Sequence, residues 1–285
     1  MPAELTFTAA PGLRSRYAGA LRRARERPQA LPDTRAVRGG VRVDRSHLVR
    51  YARLCGFPLR DELPVPYPHL LAFPLQLALM GQPDFPLPLV GAVHVANTVT
   101  VLRPVPVGAA LDLHVCARDL RPHRRGTQVD LVSQLSLGGE TAWLGTSTYL
   151  TRGPQHPDTG AAQRPDLALV EEVASGPVWQ VPAGAGRAYA AVSGDWNPIH
   201  VHPLTARLLG FPTAIAHGMY SYAKVVAALG PRLPRAGLTS RVSFTRPVRL
   251  PSTVRLRTGS EPGRTVSVLE SRSGQDVHAV VEHTW

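Results

Sequence analysis

Lysine is almost missing from this chain. Lys224 is the only one, so 31 of the 32 basic residues are arginine. A formal net charge of +12 invites a nucleic-acid reading, since basic side chains that neutralise phosphates supply most non-specific binding. The dominance of arginine points to a compositional bias instead. The densest cluster, Arg22-Arg23-Ala24-Arg25-Glu26-Arg27, also lacks the interleaved aromatics on which single strands stack. The expectation is no nucleic-acid partner, and a positive field that attracts an anionic small molecule. Cysteine is scarce too. Cys55 and Cys116 are too few for a disulfide framework and match no zinc spacing, so they read as ordinary buried thiols in a reducing compartment. No stretch approaches the roughly 18 consecutive apolar residues of a membrane span. The opening Met1-Pro2-Ala3-Glu4-Leu5 has no basic region followed by an apolar run, as a secretory signal would. A cytoplasmic protein without a membrane partner is expected.

What is present fits a folded chain of two units. The length of 285 residues suits two domains of ordinary size. Gly (25) and Pro (28) are abundant, but together stay below the range of low-complexity disorder, roughly 25–30%. Residues 1–40, rich in arginine, alanine and proline, read as a lead-in. Residues 41–150 form one unit, the Pro/Gly-rich stretch 151–166 a linker, and 167–285 a second unit. The units echo each other. Tyr51-Ala52-Arg53-Leu54-Cys55-Gly56 parallels Tyr189-Ala190-Ala191-Val192-Ser193-Gly194, and Arg103-Pro104-Val105 parallels Arg246-Pro247-Val248. Two pairs in the same order, at offsets of 138 and 143 residues, suggest a duplicated domain. Each unit shows an apolar helical run, Leu70–Met80 or Met219–Leu229, followed by four strand-like runs. In the first unit these are Val93–Leu102, Leu111–Ala117, Thr127–Leu137 and Thr141–Leu150. In the second they are Thr239–Phe244, Thr253–Thr258, Thr265–Ser271 and Asp276–His283. Gly138-Gly139 and Ser273-Gly274 sit where hairpins should turn. Pro64, Pro66 and Pro68 should delay the first helix to about His69. The pattern is α+β, one helix and an antiparallel meander, twice over.

The chemistry concentrates between Tyr189 and Met219. Asp195 precedes His200 by five residues, a spacing at which helical side chains diverge, while Trp196-Asn197-Pro198 favours a turn that aims both into one cleft. Pro203 starts a short helix that Gly210 ends. Ala216-His217-Gly218 then opens the long apolar helix closed by Gly230-Pro231. A glycine at that N-terminus lets a ligand oxygen approach unpaired backbone N–H groups. Each residue has a structural reading as well. Asp195 suits a turn cap and His217 a helix cap. His200 with His202 has the spacing of strand metal ligands, but no third ligand stands nearby in sequence.

The segment resembles the hydratase-2 motif of MaoC-like dehydratases, carried by Tyr189, Ser193-Gly194-Asp195, Asn197-Pro198, His200, Ala206, Gly210-Phe211 and Ala216-His217-Gly218-Met219. The resemblance implies a double hot-dog fold in which a degenerate half precedes a catalytic one. It also implies a (3R)-specific hydratase/dehydratase that interconverts trans-2-enoyl and (3R)-3-hydroxyacyl thioesters. Asp195 and His200 would be the acid–base pair. Gly218 would stabilise the thioester oxygen, and Asn197 would position the acid and the water. Ser193, Phe211, His217 and Met219 would contact substrate. No metal or other cofactor is implied; the acyl group rides on coenzyme A or acyl carrier protein, and a homodimer is compatible with the scheme.

In the first unit Phe57 and Glu62 stand where Asp195 and His200 would fall, so that half is expected to be non-catalytic and to shape an acyl tunnel with Leu70, Phe73 and Leu77. Competing readings are a hot-dog thioesterase, which has no need of this motif, and a non-catalytic acyl-thioester-binding or scaffold subunit.

Overall fold

The computed structural model describes residues 3–12, 28–89, 91–153 and 167–285. In chain order the first half holds β1 (Ala3–Thr6), β2 (Thr34–Val41), α1 (Arg45–Cys55), α2 (Tyr67–Met80), β3 (Ala92–Val101), β4 (Leu111–His123), β5 (Gly126–Leu137) and β6 (Glu140–Arg152). The second half opens with α3 (Ala168–Glu171), β7 (Val178–Val181), α4 (Ala185–Ser193), α5 (Pro198–Val201) and α6 (Pro203–Leu208). It continues with α7 (Gly218–Leu229), β8 (Leu238–Phe244), β9 (Ser252–Glu261), β10 (Arg264–Ser271) and β11 (Val277–Thr284).

The strands form one 11-stranded sheet in the order β1-β2-β4-β5-β6-β3-β8-β11-β10-β9-β7. The β1–β2 pair is parallel, and the other neighbours are antiparallel. The halves join at the centre, where β3 pairs with β8 and Val99 lies opposite Ser240. Each half wraps one long helix. Buried residues face every side of α2, as expected of a helix apolar all round, and α7 buries Tyr222, Ala223, Val225 and Val226. Helix α2 starts at Tyr67, two residues before His69, because a proline is tolerated in the first turn; Pro74 sits inside the helix without ending it. A second, smaller cluster of Val170, Val266, Val268 and Val280 lies where α3 packs on β10. This is the expected α+β, double hot-dog arrangement.

The duplication extends to single hydrogen bonds. Helices α1 and α4 both end in a left-handed glycine, Gly56 (φ 89°) and Gly194 (φ 75°), whose N–H groups bond Ala52 and Ala190. The Leu63 N–H donates to Val105 O at 2.9 Å, as the Ala216 N–H does to Val248 O at 2.9 Å. Strand β1 and all of β2 but its last residue, Val41, lie inside residues 1–40, and their pairing through β2 onto β4 extends the sheet at one edge. Strand β6 continues past Leu150 to Arg152, while residues 154–166 of the expected linker and the cluster Arg22–Arg27 lie outside the described residues.

Candidate active site

The Gly194 cap ends α4 and releases a loop built from short side-chain contacts. The Asp195 N–H donates to Ser193 Oγ at 3.1 Å, and Asp195 Oδ1 accepts the Asn197 N–H at 3.1 Å. The turn-capping role open to Asp195 is therefore real, and it is filled by Oδ1. Asn197 Oδ1 in turn accepts the Ile199 N–H at 3.3 Å and caps α5, whose first residue is Pro198. That single turn carries His200, only 8% exposed. Its Nδ1 lies 2.8 Å from the Ile215 carbonyl, an acceptor, so Nδ1 carries the hydrogen and Nε2 the lone pair.

His217 completes the group. It is the N-cap residue of α7 and is 3% exposed. Its Nε2–H donates to the Asp195 carbonyl at 2.9 Å and lies 3.7 Å from Asp195 Oδ2. Its ring stacks on His200 with centroids 3.7 Å apart and planes 27° from parallel. Burial lowers the pKa of both imidazoles, against the raising pull of Asp195, and His217 falls to about 3 with the neighbouring His200 adding to the effect. Both rings are neutral at pH 7. One ligand atom from each of Asp195, His200 and His217 lies within 4.8 Å of the others, a cluster with the composition of a metal site. Stacked imidazoles send their in-plane lone pairs side by side, not toward one ion, and His217 Nε2 is already a donor. His202, the sequence neighbour with ligand spacing, is exposed and accepts the Leu204 N–H at 3.2 Å as a cap of α6.

These groups line one cavity of about 260 Å³. Ser193, Asp195, Asn197 and His200 enter it from the loop. Phe211, His217, Gly218 and Met219 enter from the segment leading into α7. The first N–H groups of a helix lack intrahelical partners, so the Gly218 amide is an available donor at the positive end of α7. The residue there must be small, because a Cβ on Gly218 would fall 2.9 Å from the Phe244 ring. Leu70, Phe73 and Leu77 of α2 supply the apolar wall, and the exposed Arg125, Arg152 and Arg246 also reach the lining. Arg246 is ion-paired with Asp276.

The matching positions of the first half hold no such group. Phe57 stacks on Tyr51 at 5.9 Å, and Glu62 pairs with Arg235 at 3.3 Å.

Several contributors escape sequence reasoning. Gly186 of α4 sits against the His200 backbone, and any Cβ there would overlap the His200 carbonyl. His47 of α1 donates from Nε2 to the Val192 carbonyl at 2.6 Å and accepts from the Tyr67 hydroxyl at 2.8 Å, tying the first half to the end of α4. His69, His94 and Tyr149 of the first half line the same cavity. One signal was available: His69 and Gln76, seven residues apart, are polar on one face of an otherwise apolar helix.

Comparison with known proteins bears on this geometry. The MaoC like domain family matches residues 178–280. The 3-hydroxyacyl-thioester dehydratase X of Mycobacterium tuberculosis is 37% identical over 237 residues, which cover 81% of each chain. An (R)-specific enoyl-CoA hydratase of Rhodospirillum rubrum is 42% identical over 69 residues, 23% of this chain and 48% of its own. Among solved structures, HtdX of Mycobacterium tuberculosis superposes with a TM-score of 0.77 at 33% identity, covering 87% of this chain and 98% of that one. A MaoC-like dehydratase from Phytophthora capsici, at 21% identity and a TM-score of 0.70 over 88% and 94% of the two chains, shares the fold.

Proposed function

Because the chain belongs to the MaoC-like dehydratase family, we propose that it is a hydro-lyase interconverting trans-2-enoyl and (3R)-3-hydroxyacyl thioesters, with Asp195 and His200 as its catalytic pair, the carboxylate moving the proton and the imidazole holding the water. The observation that carries the reading is a carboxylate, a neutral imidazole and a free helix N-terminus meeting in one largely apolar cavity. An intact pair has no use in a scaffold subunit.

In hydration, the Asp195 carboxylate takes a proton from a water whose oxygen bonds to C3. The His200 Nε2 lone pair accepts a hydrogen bond from the same water's other hydrogen and orients it. The C2–C3 double-bond electrons move toward the thioester, and its oxygen gains enolate character. The Gly218 N–H, backed by the α7 dipole, stabilises that charge. The carboxylic acid formed at Asp195 returns the proton to C2, so one water supplies both the hydroxyl and the hydrogen. Dehydration is the reverse. Asn197 holds the loop through its cap, and Ser193 receives the Asp195 N–H. Phe211, Met219 and the α2 wall border the substrate. His217 braces the pair by stacking on His200 and bonding the Asp195 carbonyl. The arginines of the lining suit the phosphates of a coenzyme A or acyl-carrier-protein arm. The name of the Rhodospirillum rubrum relative supports the (3R) stereochemistry.

Purified protein incubated with crotonyl-coenzyme A and longer trans-2-enoyl thioesters should remove the absorbance of the conjugated double bond and yield the (3R) alcohol. Release of free thiol instead would move the chain to the thioesterases. No change in either would leave a binding subunit.

A further inference from the structure

Helix α4 ends on carbonyls that the helix itself does not use. The Gly194 N–H bonds Ala190 O, and the carbonyls that follow lie in the last turn, where intrahelical donors run out. One of them, Val192 O, receives its bond from the other half of the chain. Asp44 caps α1 by accepting the Ser46 N–H at 2.8 Å, and His47 follows in the first helical turn. Its Nε2 lies 2.6 Å from Val192 O, and since a carbonyl only accepts, Nε2 carries the hydrogen. The other nitrogen, Nδ1, accepts the Tyr67 hydroxyl at 2.8 Å, which fixes the orientation of the ring. Tyr67 is fully buried at the start of α2.

Val192 stands three residues before Asp195, and the links between them are short. Ser193 comes next, and its Oγ accepts the Asp195 N–H at 3.1 Å. Behind the acid, His217 donates to the Asp195 carbonyl at 2.9 Å. The segment carrying the carboxylate is thus held from both directions, by His47 ahead of it and His217 behind. Ring contacts follow the same route. Tyr67 packs on Tyr51 at 5.2 Å, Tyr51 on Tyr189 at 6.5 Å, and Tyr189 on His217 at 5.0 Å.

The duplication shows which half the bond serves. Helices α1 and α4 correspond at an offset of 138 residues, so the counterparts of His47 and Val192 are Ala185 and Leu54. Alanine has no side-chain donor, so the counterpart bond cannot form. Both helices keep their tyrosine, Tyr51 or Tyr189, and their left-handed glycine, yet the imidazole reaches onto the helix that leads to Asp195. A bond needed for packing alone would have equal use at the end of α1.

We propose that His47 is a positioning residue for Asp195: through Val192, the half without chemistry holds the catalytic carboxylate in register with its water. The proposal rests on the reading of Asp195 as the group that moves the proton.

The test measures kcat and KM for hydration of crotonyl-coenzyme A, well below each thermal midpoint, in His47→Phe, His47→Asn and His47→Gln. Phenylalanine keeps a ring and removes the donor. Glutamine carries an amide N–H about as far out as Nε2, and asparagine falls a bond short of it. His47→Phe and His47→Asn should lose about tenfold or more in kcat, since a misplacement of about 1 Å can cost on the order of 10²-fold. KM should stay within about twofold, because the acyl wall and the Gly218 N–H are untouched. His47→Gln should return kcat to within about threefold of the parent. A bond that only stabilised the fold would lower the midpoint and leave kcat alone. Parent kcat in a folded His47→Asn protein overturns the proposal, and so does a loss that glutamine shares in full. If His47→Phe does not fold, the asparagine and glutamine pair decides. If the parent hydrates no thioester, it is the proposed activity that has failed. Hydrogen exchange over residues 193–199 then decides the positioning alone. Faster exchange in His47→Asn than in the parent and His47→Gln supports it, and equal exchange overturns it.

Discussion

At the scale of single residues, Asp195 holds two jobs at once. Oδ1 closes the turn by accepting the Asn197 N–H, while the carboxylate faces the cavity. Asparagine keeps an oxygen for the turn but cannot take a proton from water. Asp195→Asn should therefore fold with a thermal midpoint near the parent value and lose on the order of 10²–10⁴-fold in kcat. His200→Gln removes the imidazole lone pair and should lose a comparable factor. If both groups act on one water, the double replacement should be little slower than the slower single one. Steady-state kinetics beside thermal melts check this. A folded Asp195→Asn protein with near-parent kcat sinks the assignment and leaves Asp195 as a cap.

At the scale of elements, the site is a stack of helix ends, and Gly186 shows how closely they are set. Helix interiors ordinarily favour alanine over glycine by roughly 0.5–1 kcal/mol. At position 186 the added methyl would meet the backbone carbonyl of His200, which cannot rotate away as a side chain can. Either α4 or α5 must shift, and a misplacement of about 1 Å can cost on the order of 10²-fold in rate. Gly186→Ala should thus lower both kcat and the thermal midpoint. Gly184→Ala, with open space around the new methyl, should leave kcat unchanged. A Gly186→Ala protein with raised midpoint and parent kcat would show that α4 does not support His200. The same element scale explains what the sequence could tell. Runs such as Thr265–Ser271 reappear in β10 (Arg264–Ser271) because β-branched alternation and glycine turns are local signals. Strands β1, β2 and β7 carried no such signal: two are four residues long, and β2 contains Arg-Gly-Gly. They owe their place to long-range pairing at the sheet edges. Strand β4 runs past Ala117 to His123 through a register shift in its pairing with β5, which alternation alone does not reveal. Asp195 and His200 were legible because five residues and a proline turn separate them. The stacking of His217 on His200, and the approach of His69 and His94 from the other half, depend on tertiary packing.

At the scale of the whole molecule, the fold buries imidazoles on both sides of the central β3–β8 seam and must keep them uncharged. Desolvation lowers His69 to about 3 and His94 to about 4 in the first half. In the second half it lowers His217 to about 3 and His283 to about 4. In the unfolded chain each titrates near its ordinary value of about 6.5. Between these limits the unfolded state holds more protons than the folded one, so stability rises with pH across the window. The contribution of these histidines is fully present above about pH 6.5 and drains away as pH falls toward 4 and then 3. Acid also adds positive charge to a chain that already carries +12, which deepens the loss through self-repulsion. Thermal melts from pH 8 to 4.5 should show a midpoint that falls steadily below about pH 6.5, with proton uptake on unfolding approaching about four from these groups near pH 5. His283 isolates the effect, since both its ring nitrogens are buried without partners and it is not among the cavity residues. His283→Phe should cut the uptake by about one proton and flatten the acid limb, with hydration of crotonyl-coenzyme A unchanged. A midpoint flat from pH 7 to 4.5, or a His283→Phe protein with the parent's pH dependence, would mean that the folded chain accepts charge where its packing leaves no partner for it.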